Sequence, residues 1–494
     1  MKRKVPRMAG VLMPVASLPS GDGVGTFGRS AYQFVDFLAE TGFAMWQVLP
    51  LNPLGYGNSP YQPYSSYAGD ELYIDLELLK EDGYLSGVRE KLPNTGRVDY
   101  DLVRRHKLPY LEAAFAAFEE QGKEKDAFDD FCKENWVYPY AVFITLKKHN
   151  SMRCWNEWPR AQRDWVLEKK FDVSPYEREI RFEMFLQYIF SKQWNALKRY
   201  ANEKGILMVG DVPFYVGIDS LDVWQDRDSF LLDRKGHPTF IAGVPPDYFS
   251  VTGQRWGNPI YNWEHLEQTQ FRFWIDRLRY SARLYDIIRI DHFRAFDTYW
   301  KIPASCKTAV EGEWIEAPGY ALFDKLLEEL PDVWLIAEDL GDLRPEVLEL
   351  RDAYDLSGMN VAEFTLLNPK AVAKNQVIYT GTHDNQTVMG WYNDLDAKMR
   401  KKIDRRLGRE GRKGKNVSYR MLHYVLHSVS DYAIIPLMDL LELDDAARLN
   451  TPGTVGSPNW EWRLEDLTAL EPRKAAIKRM IRYAKRGKSD LVQR

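Results

Sequence analysis

A chain of 494 residues exceeds the usual size of a single hydrophobic core, so it reads as one large barrel with insertions or as two or three domains. Its 67 basic and 71 acidic residues nearly cancel and are interspersed, which argues against a polyanion-binding surface and against nucleic acid as a partner. Cys132, Cys154 and Cys306 are dispersed without a C-x-x-C pair, and no apolar stretch approaches the roughly 20 residues needed to span a bilayer. No disulfide framework, zinc cluster or membrane segment is therefore expected, and a cytoplasmic location fits.

Lys2, Arg3, Lys4 and Arg7 precede an apolar run, Met8 to Leu18, with the outline of a short secretory signal. Pro14 interrupts that run and no small-x-small cleavage site follows, so Val11 to Ala16 is read as a first buried strand. Gly23-Val24-Gly25-Thr26-Phe27-Gly28 then matches G-x-G-x-x-G ahead of a helix expected near Ala31 to Glu40, the context of a dinucleotide fold. The next strand, Met45 to Leu49, ends in Pro50 without the acid that would hold a ribose, so tight-turn chemistry is the preferred reading of these glycines.

Between Tyr100 and about Lys170 the pattern is helical. Pro109 is expected to start a helix with Leu111, Ala114, Phe115 and Phe118 on one face, within an inserted helical subdomain spanning 100–170. A strand at Ile206 to Val212 follows. Gly217 to Trp263 is rich in Asp, Pro, Gly and aromatics without sustained periodicity, and is expected to be an inserted loop region in contact with substrate.

Further strands are expected at Ile287 to Ile290, Val333 to Ala337, Val361 to Phe364, Val377 to Thr380 and Ala433 to Leu437, and a basic terminal helix at Arg473 to Arg494. Buried parallel strands read as continuous apolar runs, as these do. Their alternation with helices favours an α/β fold, a (β/α)8 TIM barrel with inserted, largely helical subdomains, in which closure is inferred rather than read.

Three of these runs lead into acids. Asp291, Glu338 and Asp384 stand 47 and 46 residues apart, as expected if successive barrel strands bring carboxylates to one rim. Singly, each acid would be read as a helix cap or an ion-pair partner; together they point to glycosidic-bond chemistry. Arg289 stands two residues before Asp291, on the same side of a strand, where it would keep that carboxylate ionised as a nucleophile requires. Glu338, raised in pKa by partial burial and a nearby negative charge, would serve as general acid. Carboxyl groups about 5 to 5.5 Å apart would give retention and about 6.5 to 9.5 Å inversion, and spacing in sequence leaves that open.

Aromatic residues make up 14% of the chain, and Tyr56, Tyr61, Tyr64, Tyr67, Trp256, Tyr261, Trp263, Trp460 and Trp462 lie in loop-like settings suited to the C–H faces of sugars. No P-loop, H-E-x-x-H or G-x-S-x-G occurs, and no metal or organic cofactor is demanded.

From Gly10 to about Leu464 the chain closely resembles glycoside hydrolase family 77, the 4-α-glucanotransferases. The motifs that carry this are Ser17-Leu18-Pro19-Ser20, Trp46-Gln47-Val48-Leu49-Pro50-Leu51, Gly55-Tyr56-Gly57-Asn58-Ser59-Pro60-Tyr61-Gln62, Gly210-Asp211-Val212-Pro213, Pro245-Pro246-Asp247-Tyr248-Phe249, Gly253-Gln254-Arg255-Trp256-Gly257-Asn258-Pro259 and the three carboxylate segments. The resemblance implies an α-amylase-type barrel acting on maltooligosaccharides and starch- or glycogen-type glucans, with Asp291 as nucleophile, Glu338 as acid/base and Asp384 as the third carboxylate.

It further implies that Arg289, His383 and Asp211 line the donor subsite, that Ser59, Tyr61, Gln254 and Trp256 follow the glucan path, and that Asn459 approaches it from the C-terminal segment. After Asp211 the chain lacks the Asn-His pair of the α-amylase hydrolases, a departure that the transferase family shares. Ala295 and Gln386 replace a common glycine and a common aspartate of the family, which bears on substrate preference. A hydrolase of the same clan, a non-catalytic glucan-binding protein and a nicotinamide oxidoreductase are the alternatives.

Overall fold

The computed structural model describes residues 6–87, 89–246, 250–408 and 416–487. Among these residues twelve strands form: β1 (Met8–Leu12), β2 (Met45–Gln47), β3 (Leu207–Val212), β4 (Phe240–Val244), β5 (Gln254–Pro259), β6 (Ile287–Ile290), β7 (Thr298–Pro303), β8 (Glu313–Glu316), β9 (Leu335–Ala337), β10 (Gly358–Val361), β11 (Gln376–Tyr379) and β12 (Tyr432–Pro436).

Eight of them make one parallel sheet in the order β10-β11-β12-β1-β2-β3-β6-β9. Its two ends meet, because Ala337 N–H donates to Ser357 O at 2.8 Å just before β10 and Ile336 bridges Ser357 in parallel. The sheet is a (β/α)8 barrel. Its strands are apolar on both faces because one face fills the barrel and the other lies under helices, and every residue of β1, β6, β10 and β12 is buried.

Three expected boundaries shift. The first strand is Met8–Leu12 rather than Val11 to Ala16, since Pro14 has no N–H to give a neighbour and Val15–Ser17 becomes a 3-10 turn. The sixth expected strand, Val361 to Phe364, ends at Val361 and continues as a helical turn, Ala362–Thr365. The terminal helix spans Glu471–Ala484, and 488–494 lie outside the described residues.

Between β2 and β3 run helices Tyr100–Gln121, Lys125–Phe131, Val137–His149 and Glu177–Glu203. Pro109 does not start the first of these. Asp99 caps it by accepting Leu102 N–H at 2.9 Å, and Pro109 lies inside. Leu111, Ala114, Phe115 and Phe118 are buried as their spacing requires, each large side chain worth about 1.5–3 kcal/mol.

The stretch expected as loop, 217–263, holds β4 and β5. With β7 and β8 they build a separate antiparallel sheet, β5-β4-β7-β8, over a small core of Ile241, Ile302 and Ala309. Asp247, Tyr248 and Phe249 lie outside the described residues.

The glycine fingerprint belongs to the barrel rim. A Cβ on Gly25 would lie 1.8 Å from Val15 O, and one on Gly28, which precedes helix Arg29–Thr41, would lie 1.9 Å from Asp75 Oδ2. That carboxylate also accepts Thr26 Oγ1 at 2.6 Å. An acid thus occupies the helix N-terminus at which a pyrophosphate would have to sit, which removes the dinucleotide reading.

Candidate active site

The site grows from the C-terminal ends of β3, β6 and β9. Asp211 and Arg289 are register partners on adjacent parallel strands, so their side chains emerge side by side into the barrel mouth. Arg289 Nη1 donates to both Asp211 oxygens at 2.7 Å, and its Nη2 donates to Asp291 Oδ1 at 3.0 Å. One planar guanidinium therefore orients two carboxylates, a task suited to its fork of donors. Arg289 Nε rests on Met359 Sδ at 3.4 Å. Burial pushes the Asp211 pKa up against the pull of Arg289. Although burial works against its charge, Arg289 is held well above the ordinary arginine range by the carboxylates of Asp211 and Asp291.

Asp291 begins immediately after β6, with its N–H on Val212 O at 3.0 Å. The chain then turns through His292, whose φ is 53°. For a non-glycine residue this left-handed conformation costs about 1–2 kcal/mol. It aims His292 N–H at Glu338 Oε2, 2.6 Å away, while Phe293 N–H donates to Glu338 O at 3.1 Å. Glu338 follows β9 directly and is anchored by its own N–H on Ile290 O at 3.0 Å.

Burial, and then the negative charge of Asp291, push the Glu338 pKa up to about 8, against the opposing effects of Arg289 and the His292 N–H. Two carboxyl groups at neighbouring strand ends thus have unlike surroundings. Asp291 accepts a guanidinium bond, whereas Glu338 retains a proton near neutrality. Burial also drives the His292 imidazole down to about 4, so it is neutral near pH 7.

Tyr61 closes one wall. Its hydroxyl donates to Asp211 Oδ2 at 2.8 Å, and its ring stacks on His383 at 5.1 Å and 17°. Trp460 lies 5.7 Å from Tyr61 and 5.9 Å from His383. His383 Nε2 approaches Asp384 Oδ2 at 3.5 Å. Asp384 is held from the C-terminal segment, where Asn450 Nδ2 donates to its Oδ1 at 2.7 Å and Arg448 Nη2 to its backbone O at 3.0 Å. Asn450 and Arg448 are absent from the sequence reading, because a contact across more than 60 residues leaves no local pattern.

Trp256 packs edge-on against His292 at 5.0 Å and 86°, and its Nε1 donates to Gln254 Oε1 at 3.2 Å. Two expected residues have scaffold contacts. Ser59 Oγ accepts Tyr61 N–H at 3.3 Å. Asn459 is buried, with Oδ1 accepting Thr451 N–H and Nδ2 donating to Thr454 Oγ1, both at 2.9 Å, so its amide pins the 451–459 loop beside Trp460. Gln386 Nε2 donates to Asp394 Oδ2 and Asp445 Oδ2, each at 2.7 Å, a place where an aspartate would meet two like charges.

Among the described residues no cluster of three His, Cys, Asp or Glu side chains could hold a metal ion, and no helix is long and apolar enough to cross a membrane.

Comparison with known proteins places this geometry in context. The glycoside hydrolase 77 family model, described as 4-alpha-glucanotransferase, matches residues 13–469. The chain is 44% identical over 478 residues to the 4-alpha-glucanotransferase of Streptococcus pneumoniae serotype 4, covering 93% of this chain and 94% of that one. It is also 44% identical over 480 residues to that of Thermus thermophilus, covering 93% and 95%. The structure of the amylomaltase from Streptococcus agalactiae in complex with acarbose superimposes with a TM-score of 0.93 at 37% identity, over 97% of this chain and all of that one.

Proposed function

The chain belongs to the glycoside hydrolase 77 family of 4-alpha-glucanotransferases, and from that membership and the geometry of its site we propose that it transfers α-1,4-glucan segments by a retaining double displacement. Asp291 attacks the anomeric carbon of the donor glucan while Glu338 gives its proton to the departing glycosidic oxygen, leaving a glycosyl ester on Asp291. Glu338, now a carboxylate, takes the proton from the 4-hydroxyl of an incoming sugar. That oxygen displaces Asp291 and restores the α-linkage.

The observation that supports this most is the division of labour between the two acids. Arg289 orients Asp291 through a guanidinium hydrogen bond, and burial together with the charge of Asp291 keeps Glu338 protonated near neutrality. Asp384, gripped by Asn450, presents its remaining oxygen to the sugar 2- and 3-hydroxyls, whose bonds tighten as the ring flattens toward an oxocarbenium ion. Asp211, Arg289 and His383 shape the donor side. Tyr61, Gln254 and Trp256 follow the glucan, with Ser59 and Asn459 acting through the loops they hold.

In the same reading the chain is a single catalytic unit with insertions at 100–170 and 217–263. Its substrates are maltooligosaccharides and starch- or glycogen-type glucans, and it engages neither nucleic acid nor membrane. A cytoplasmic location accords with three free cysteines and with bacterial relatives, although a Solanum tuberosum relative, 36% identical, is named chloroplastic/amyloplastic.

Incubation with maltotriose, resolved by chain length over time, tests the proposal. Glucose together with a ladder of longer maltooligosaccharides is expected. Glucose and maltose alone would make water the acceptor, and unchanged substrate would leave a glucan-binding protein.

A further inference from the structure

Trp314 is the one exposed tryptophan among the described residues, with 41% of its surface open to solvent. It lies on β8, at the edge of the antiparallel sheet, and it is not free to swing. The Arg294 guanidinium sits over its ring at 4.2 Å, and the Trp300 ring meets it at 5.2 Å and 63°. Trp300 is itself fixed, with Nε1 donating to Ala309 O at 2.9 Å. A lone surface aromatic needs no explanation, but an indole braced on one face and open elsewhere is a built surface.

Two routes tie this surface to the cleft. Arg294 is three residues beyond Asp291, and its Nη1 donates to Asp342 O at 2.9 Å in the loop that follows Glu338. The sheet supplies the second route. β8 is joined through β7 and β4 to β5, whose Trp256 packs on His292 from the face opposite the cross-strand row of Trp314, Trp300, Gly243 and Arg255. Strands about 4.8 Å apart place β8 some ~14 Å from β5, a span of several sugar units.

We propose that Trp314 is a stacking platform for glucose units of a long α-1,4-glucan, outside the set of residues that grip the reacting sugars; this rests on the glucan-transfer reading above. The covered face carries Arg294, so the sugar packs its apolar C–H face on the open side of the indole. Glu316, two residues on and on the same side of the strand, is largely exposed and lies 3.4 Å from Arg344 Nη1. This carboxylate and guanidinium offer an acceptor and donors to flanking hydroxyls, chemistry suited to a neutral polyhydroxylated chain.

The test compares wild type, Trp314→Phe and Trp314→Ala on amylose and on maltotriose, whose three units would be used up by the β5-to-β8 span alone and leave none for the cleft. For Trp314→Ala the KM for amylose rises about three- to tenfold, the worth of one aromatic stacking contact, while kcat/KM for maltotriose moves less than twofold. Trp314→Phe falls between. Equal losses on both substrates would mean that the residue merely supports the fold, and no loss on amylose would also overturn the proposal.

Migration through amylose-containing native gels reads the platform without turnover. Trp314→Ala retarded less than wild type would keep the platform even if maltotriose yielded no ladder and the transfer reading failed. A change in sedimentation of the alanine variant with no change in retardation would assign the surface to a second copy of the chain and overturn the proposal.

Discussion

Replacing Glu338 by Gln should make this protein more stable as it abolishes its chemistry, and the gain should depend on pH in a defined way. The Glu338 carboxyl is raised from an ordinary 4.5 to about 8 in the folded protein. Between those values the folded state binds a proton that the unfolded chain has released, so the group's contribution to stability is fully present below about pH 4.5 and is lost as pH rises to about 8. At pH 7 the loss is about 3 kcal/mol, at pH 8 about 4 kcal/mol, and from about pH 9 it levels off near about 5 kcal/mol. Gln keeps the shape and still accepts the His292 N–H, but it has no proton to lose.

Unfolding entropy of about 2.1 cal/mol/K per residue gives a chain of 494 residues roughly 1 kcal/mol per kelvin. The variant should therefore melt about 3 °C above wild type at pH 7, about 4 °C above it at pH 8, and level with it at about pH 4.5. Scanning calorimetry at fixed rate across this range is the assay. Its companion is kcat, expected to fall by about 10²- to 10⁴-fold with loss of the general acid, while the wild-type rate declines on the alkaline side near pH 8. Equal melting at pH 7 to 8, or a difference independent of pH, would refute the claim that Glu338 is folded in its neutral form.

Arg289→Lys keeps the charge but cannot span Asp211 and Asp291 together, so kcat/KM should fall about 10- to 100-fold, the worth of one lost charged hydrogen bond; initial rates on maltotriose measure it. Asn450→Ala frees one oxygen of Asp384 and should lower kcat about tenfold with a melting temperature within about 1 °C of wild type. Gly28→Ala drives a methyl group into the Asp75 carboxylate and should cost about 2–3 kcal/mol of stability by urea unfolding, with NAD titration of the wild-type chain showing no saturable signal.

The barrel was legible because its strands are buried on both faces and so write continuous apolar runs, and the acids stood out because they interrupt those runs at their ends. Arg289 was placed correctly by period alone, since two residues on a strand share a face. The second sheet was not legible. β4, β5, β7 and β8 are no shorter than the barrel strands, but they are only partly buried and carry Gly243, Gly257 and Pro303 among polar and aromatic residues, so they write neither a continuous apolar run nor a clean alternation. Pro109 misled because the rule that places proline in a first helical turn does not reveal a cap ten residues upstream at Asp99. The grip of Asn450 on Asp384 had no signature, being specified by where the C-terminal segment folds back rather than by any spacing near the carboxylate.

The left-handed turn at His292 means that the donor touching Glu338, the acid proposed for catalysis, belongs to the main chain. Side-chain scanning at position 292 would report on ring packing with Trp256 and leave that contact untouched; glycine there would relieve the turn and preserve the N–H. Proline, the one encoded residue without an N–H, is fixed near φ of about −65° and would break the turn along with the contact; an amide-to-ester exchange at 292 removes the donor alone, and would expose how far the proton affinity of Glu338 is governed by a single main-chain bond.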